Sequence, residues 1–400
     1  MTTMELPVPR TDPFEPPKEY AEHLAKPGEH PVQRVRLPGG NEAWAVSRHE
    51  DVRTVFNDPR FSADRFNPGF PVLAEGGNAF RRSESDRNML SMDAPQHGPA
   101  RKAVLGEFTV KRVAGLKPRI QEIVDELIDE MLAGPKPADL VERLALPVPS
   151  LVICEMLGVP YADHDFFQAN TSKLLRRTTG NEDRRAAFDN VIGYLSELIA
   201  AKETAPGDDL ISRQIAKRRA EGPYERGPLT SLAFLLLAAG HETTANMISL
   251  GTVALLENPA QLAAIKADPG KTPEAIEELL RYFSIVENTA RVAKEDVEIG
   301  GVTIKAGEGV VVMSYAANWD AGVFADSGTF DVERGARHHV AFGFGPHQCL
   351  GQNLARTELQ VVFDTLIRRV PTLALAAPVD DLPFKDDALI YGLYRLPVTW

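Results

Sequence analysis

Cys349, one of only two cysteines in 400 residues, stands in the run FGFGPHQCLG between Phe342 and Gly351. Glycines at 343, 345 and 351 allow positive φ, or a close approach of the backbone to something flat and large. A helical run opens with Leu350 directly afterwards. Cys349 therefore meets unpaired backbone N–H groups and the positive end of a helix dipole, which favour thiolate over thiol. Phe342 offers a ring to pack beside the sulfur and exclude water. A protein that presents one thiolate to a metal in a dry, shaped site needs this combination. The ordinary alternative is a buried core cysteine. It accounts for Cys154, within the apolar LVICEMLG, but not for Cys349, whose neighbours are glycines, Pro346 and His347.

Two further groups of residues have the types and spacing for chemistry. In LLLAAGHETTANM, Gly240 and the polar run His241–Thr244 interrupt an apolar helical stretch. Gly in a helix interior costs about 1 kcal/mol relative to Ala, and a buried acid costs more unless it is paired. The bland reading is a packing glycine with Glu242 turned to solvent. The sharper one has Ala239-Gly240 widening a groove for a small ligand, with Thr243 offering a hydroxyl and Glu242 supplying protons through water. That suits the breaking of an O–O bond, which needs two protons while bulk water is kept out. In EELLRY, Glu278 and Arg281 share a helix face and can pair. Such pairs are commonly solvated decoration, worth a few tenths of a kcal/mol. For Cys349 itself haem iron is the favoured partner, with zinc and an inert core position left open. His338, His339 and His347 lie close by, but structural zinc sites draw four ligands from Cys and His and no second Cys is at hand.

The elements that must position these residues are mostly helical. Apolar periodicity between Gln96 and Lys271 predicts helices over Ala100–Phe108, Val113–Leu132, Val148–Leu157, His164–Arg176, Arg185–Lys202 and the long segment Leu229–Asn258. Pro228 precedes that segment and Asn258-Pro259 closes it. Another helix runs from Pro273 to Phe283, and the last from Leu350 to Arg369. Val32–Leu37 and Ala43–Ser47 flank Gly39-Gly40 as a β-hairpin, and short β-rich runs fill Val286–Met313 around the turn Gly300-Gly301. The loop Arg60–Asp93, rich in Gly and Pro and dotted with Phe61, Phe66, Phe70 and Phe80, reads as a lid. Residues 1–17 form an irregular, proline-rich lead-in draped over the surface, and residues 18–400 a single catalytic domain.

Composition narrows the class. With 44% hydrophobic and 25% charged residues the chain has ordinary globular usage. A formal net charge of −12 lacks the basic field of a general nucleic-acid binder. Two cysteines argue against a disulfide framework and for a reducing cytoplasm. The first thirty residues hold no apolar run, so neither signal peptide nor anchor is expected. Leu232–Gly240, the most apolar stretch, falls short of the roughly 20 residues of a bilayer span.

Taken in their order, these motifs resemble the cytochrome P450 family from roughly Pro31 to the C-terminus. FGFGPHQCLG is similar to its haem-binding loop, AGHETT to its oxygen-activation motif and Glu278–Arg281 to its ExxR pair. The resemblance implies a mainly α fold with a smaller β region: a helical triangular prism enclosing haem b between the long central helix and the helix after Cys349. Cys349 becomes the axial ligand of the iron, with Phe342, Gly343, Leu350, Gly351, Ala239 and Gly240 against the cofactor. Glu242 and Thr243 become the acid–alcohol pair that steers protons, and Glu278–Arg281 a buried network beneath the haem. DAPQHGPARK resembles the segment in which His97 and Arg101 meet a haem propionate, and Arg291 and His347 match the other propionate contacts. The phrases ALPVPSLVICEMLGVPYADHDFFQ and ARHHVAFGFGPHQCLGQNLAR are closest to the actinobacterial soluble group, which oxidises vitamin D, statins, macrolides and xenobiotics.

The implied reaction is monooxygenation of a bulky, largely apolar small molecule by O2. No GxGxxG nicotinamide or flavin segment is present, so electrons come from outside. The resemblance implies a ferredoxin with its reductase, docking on the cysteine side, where Arg101, Lys102, Lys111, Arg112 and Arg356 form a basic exception on an acidic protein. It implies a cytoplasmic, monomeric protein without nucleic-acid or membrane partners. Pocket walls are expected from the 70–90 loop, residues 164–177, Leu236, Ala239, residues 288–290 and 389–391, with Arg81, Arg82, Arg176 or Arg177 available to a substrate carboxylate. A non-catalytic haem sensor or carrier, or a peroxide-using haem enzyme, is the alternative.

Overall fold

The computed structural model describes residues 4–20, 32–38, 40–73 and 87–400. Phe80, Arg81, Arg82 and much of the expected lid lie outside the described residues. The strands are β1 (Met4–Glu5), β2 (Val32–Arg36), β3 (Glu42–Val46), β4 (Phe61–Ser62), β5 (Ala138–Asp139), β6 (Asn288–Ala293), β7 (Val297–Ile299), β8 (Val302–Ile304), β9 (Gly309–Met313), β10 (Ala374–Leu375) and β11 (Pro397–Thr399). The first helices are α1 (His49–Asn57), α2 (His97–Leu105), α3 (Val110–Ala133), α4 (Pro147–Leu157), α5 (His164–Leu175), α6 (Asn181–Thr204) and α7 (Leu210–Glu221). They are followed by α8 (Arg226–Gly240), α9 (Glu242–Glu257), α10 (Pro259–Ala267), α11 (Thr272–Phe283), α12 (Ser314–Asn318) and α13 (Gln352–Arg369).

Two compact units result, each assembled from three separate stretches of chain. The first combines residues 1–77, 250–352 and 383–394. Its sheet runs β1-β2-β3-β9-β6-β4, with β2–β3 the expected antiparallel hairpin and β3–β9 parallel. Side chains alternate across a strand with period two. Val32, Val46, Val310 and Val312 accordingly fill one core, while Val35, Ala43, Ala45, Val311 and Met313 fill the other. The lead-in is more ordered than its composition suggests: β1 pairs with β2, and Leu6 is buried in that second core.

The second unit combines residues 78–249, 353–382 and 395–400. It is a helical body in which α6 packs on α5, α7 and α8, and α4 packs on α3 and α8. A small sheet, β10-β11-β5, brings the end of the chain back to Ala138–Asp139. Start signals act as physical chemistry requires. Thr109 caps α3 by accepting from the Arg112 N–H at 3.3 Å, and Asp209 caps α7 by accepting from Ser212 at 2.8 Å.

Two of the differences from the sequence reading bear on the site. The segment expected as one helix over Leu229–Asn258 is two, parted at His241, whose φ of −103° departs from helical values. The last helix starts at Gln352 rather than Leu350, because residues 345–351 are taken up by turns. Helices α1, α7 and α10 were not anticipated as separate elements. Among the described residues no single helix is long and apolar enough to cross a membrane.

Candidate functional site

In the first unit the thiolate loop hangs from a buried ion pair. Glu278 and Arg281 are both fully buried on α11. Arg281 Nε and Nη2 each donate to one Glu278 oxygen at 2.7 Å, the bidentate geometry that makes such pairs strong. Nη1 donates to the carbonyls of Asn318 at 3.0 Å and Ser327 at 2.9 Å. Glu278 Oε1 also accepts from the Asp331 N–H and from Arg334 Nε, both at 3.1 Å. A buried pair is tolerable only with geometry and additional hydrogen bonds of this quality. The solvated alternative falls, since every residue from Ala275 to Phe283 is buried.

Order passes from this pair to the loop through Asn318. Its Oδ1 accepts from the Val340 N–H at 2.8 Å, and its Nδ2 donates to Ser284 Oγ at 2.7 Å. The Val340 carbonyl accepts from Gly343, and Phe342 accepts from the Cys349 N–H, each at 2.8 Å. Gly343 and Gly345 hold φ near +70°. Gly345 needs glycine twice over, because a Cβ there would lie 3.0 Å from the Phe56 carbonyl oxygen and 3.1 Å from Asn57 Cα on α1.

The loop's own surface fits a haem. Cys349 is half-buried, and residues 341–353 form one unbroken stretch of partial or full exposure. A Cβ built on Gly343 or Gly351 meets nothing within 4 Å, so space lies beside them. Phe342 and Leu350 supply apolar surface, and the same unit carries two candidate hydrogen-bond donors for acidic groups. Arg291 on β6 is buried, its guanidinium carbon 5.5 Å from the Phe56 ring centre, with Nη1 donating to the Ala290 carbonyl at 2.7 Å. His347 closes the turn Gly345–His347 and is half-buried. His338 and His339 have other partners. His338 stacks on Phe324 at 4.5 Å, and His339 Nδ1 accepts from the Ala341 N–H at 3.1 Å. Among the described residues no group of three or more His, Cys, Asp or Glu is placed to hold a metal ion, which removes the zinc reading.

In the second unit the break between α8 and α9 carries the polar run. His241 is buried, with Nδ1 2.9 Å from the Leu237 carbonyl and Nε2 3.0 Å from Thr171 Oγ1 on α5. Thr243 donates its hydroxyl to the Ala239 carbonyl at 2.9 Å. Ala239 is exposed, although most of α8 around it is buried. Glu242, the first residue of α9, is buried rather than turned to solvent. Gly240 serves packing: a Cβ there would lie 3.0 Å from Ile153 Cγ1 and 3.2 Å from its Cδ1 on α4. The widening expected at Gly240 is thus filled on its Cβ side by protein.

His97 opens α2 and is buried, with half-buried Arg101 four residues on, so the two share a helix face as expected. Of the basic residues expected to face a donor, Lys102 and Lys111 are exposed, and Arg112 lies 3.7 Å from Glu107. Arg101 and Arg356 are half-buried. Sequence reasoning missed Glu358 on α13, which is fully buried and hydrogen-bonded to Thr244 in the first turn of α9. Burial pushes its carboxyl up to about 8, against the Thr244 hydrogen bond that favours the charged form. A signal was present, because Glu358 shares the spacing of Leu354, Val361 and Val362 on the buried stripe of α13.

Known proteins share this arrangement. Residues 272–376 match the family model described as Cytochrome P450. The chain is 47% identical over 392 residues to vitamin D3 dihydroxylase of Streptomyces griseolus, a match covering 98% of this chain and 95% of the relative. It is 49% identical over 397 residues to pentalenic acid synthase of Streptomyces avermitilis, covering 99% and 97%. The crystal structure of cytochrome P450 MoxA from Nonomuraea recticatena has a TM-score of 0.91 at 58% identity, covering 99% of this chain and 98% of that one. Agreement of this extent defines a monooxygenase, an oxidoreductase whose chemistry runs on haem iron. The chain belongs to the cytochrome P450 family, alongside its actinobacterial members.

Proposed function

We propose that this enzyme inserts one atom of O2 into a C–H bond of a bulky, largely apolar small molecule, using electrons from a ferredoxin and its reductase. Substrate, O2, two electrons and two protons give hydroxylated product and water. When bound, haem b supplies the oxygen-activating iron, and thiolate donation from Cys349 favours O–O cleavage. Phe342, Gly343, Leu350 and Gly351 would pack on the cofactor from the loop, and Ala239 and Gly240 from α8. His97, Arg101, Arg291 and His347 would hold its propionates.

The observation that carries the reading is the break at His241. It puts a buried acid, Glu242, beside a hydroxyl, Thr243, in an otherwise apolar helical stretch. Thr243 already donates to Ala239, so its oxygen retains lone pairs to accept a proton-bearing partner. Glu242, shielded from bulk water, is the group that gains and loses the proton. The relatives named for vitamin D3 and pentalenic acid support a hydrocarbon-rich substrate. Exposed Lys102 and Lys111 support an acidic ferredoxin as donor. Two cysteines without a disulfide role support a reducing, cytoplasmic setting.

Turnover with NADPH, a surrogate ferredoxin and its reductase under isotopically labelled O2 tests the proposal. One labelled oxygen is expected in a hydroxylated natural product; product without label overturns it. Cys349→Ser is expected to lose the thiolate-type carbonyl spectrum, and its survival would remove Cys349 as ligand.

A further inference from the structure

The amino-terminal lead-in, composed like a solvated tail, sends a cation into the interior of the first unit. Arg10 has a side chain only 3% exposed. Its Nε donates to Glu287 Oε1 at 2.8 Å, and its Nη2 lies 2.8 Å from the same oxygen. Nη1 donates to the Tyr315 hydroxyl at 2.9 Å, and Nη2 to the Phe283 carbonyl at 3.2 Å. The guanidinium carbon lies 3.7 Å from the centre of the Tyr391 ring and 4.1 Å from that of Tyr315. Both contacts fall well within cation–π range. A second tie comes from the Tyr391 hydroxyl, which donates to the Pro13 carbonyl at 2.9 Å.

What this cation grips decides its meaning. Glu287 directly precedes β6, whose first residues hold buried side-chain oxygens, Asn288 Oδ1 and Thr289 Oγ1, that meet no hydrogen-bond partner. A buried polar oxygen left without a partner is costly. A ligand bearing a hydroxyl or amide would relieve that. Tyr391 is tied to the same place, since its N–H donates to the Ile285 carbonyl at 3.0 Å, and Tyr315 donates its N–H to the Glu287 carbonyl at 3.1 Å. One guanidinium therefore holds the start of β6 and the 389–391 segment against each other. A planar fork with five donors does this, and a lysine ammonium does not.

We infer that Arg10 is a specificity-determining positioning residue, which builds the amino-terminal segment into the support of the substrate wall expected from residues 288–290 and 389–391. The inference rests on the proposed reading of those segments as pocket wall. Arg10 touches no substrate in this role; it fixes the distance between two segments that do. Burial holds the Tyr315 and Tyr391 phenols well above their ordinary range, against the opposing pull of Arg10, so both face the guanidinium as neutral rings.

The test compares iron-binding azoles of graded size in the holoenzyme: imidazole, 4-phenylimidazole and clotrimazole, each titrated by its Soret shift. Imidazole reads access to the iron alone, and the larger ligands read the wall. Arg10→Met is expected to change the imidazole Kd less than twofold and the clotrimazole Kd at least tenfold. Arg10→Lys keeps the charge, leaves no orphaned Glu287, and is expected to shift the same ratio by a smaller factor. A merely structural role lowers the thermal midpoint without moving the ratio of the two constants. Parallel changes across the three ligands, an unchanged ratio in folded variants, or failure of both variants to fold would each overturn the inference. Wild-type enzyme lacking a thiolate-type carbonyl spectrum or an imidazole shift would instead indict the functional reading beneath it.

Discussion

Thr244, in the first turn of α9, is hydrogen-bonded to the carboxyl of Glu358, which lies fully buried on α13 among Leu359, Val361 and Val362. Among the described residues, desolvation and this hydroxyl decide its state. The carboxyl is a neutral acid at pH 7, raised to about 8 from an ordinary 4.5.

That state predicts a pH dependence of stability. The folded protein holds the Glu358 proton more tightly than the unfolded chain, so between about 4.5 and 8 stability falls as pH rises. The penalty is absent below that window and complete above it, on the order of 5 kcal/mol. Glu358→Gln lacks it. The denaturant midpoint of Glu358→Gln is expected to pull ahead of wild type from pH 5.5 to 8 and hold a constant lead beyond. Parallel midpoint curves would mean the carboxyl is not protonated in the fold.

Arg281→Ala leaves Glu278 charged and buried with only Arg334 and the Asp331 N–H for company. A loss of about 3–5 kcal/mol is expected. Arg281→Lys is expected to recover less than half of it, because an ammonium cannot reach both carboxylate oxygens and two carbonyls at once. Because Asn318 relays this pair to the loop, the haem-to-protein absorbance ratio is expected to drop with stability. A variant with normal haem content and thermal midpoint would sever that relay.

Thr243→Ala is expected to bind haem normally while product formed per NADPH falls at least about tenfold. The missing electrons and protons appear as peroxide, two of each per O2. Peroxide assay alongside product quantitation checks the balance, and unchanged coupling would sink the proton-delivery role.

Gly240→Ala sets better helix propensity, worth about 1 kcal/mol, against overpacking of Ile153 at 3.0 Å, worth about 1–3 kcal/mol. Net destabilisation is expected. Ile153→Ala should cost less in the Gly240→Ala background than alone. Thermal midpoints of the four proteins of that cycle measure the coupling, and additive values would show that the two sites do not touch.

What the sequence disclosed depends on how far each residue's partners lie along the chain. The Cys349 loop was legible because glycines, an aromatic and the lone thiol are all within ten residues. The helix boundaries of α4, α5 and α11 were legible from local periodicity, within a few residues at each end. Glu278–Arg281 looked like surface decoration because spacing on one helix says nothing of what covers it; Asn318, Ser327 and Asp331 do the covering. The division at His241 was half visible, as a polar interruption, but its cause includes Thr171, seventy residues earlier. Arg10 carried no local signal at all, since its partners begin at Phe283.

The patchwork of the first unit has a consequence for how the protein is made. Its opening 77 residues pair with strands near residue 310 and close only with residues 383–394. Translation delivers an amino-terminal part with no finished partner surface for most of the synthesis time. Contacts of such long sequence separation form slowly and leave strand edges and apolar side chains open meanwhile. A nascent chain halted anywhere before residue 383 would leave Arg10 without Tyr391. Emergence of residues 383–394, rather than of any earlier element, is therefore the event that commits this half of the molecule to its fold.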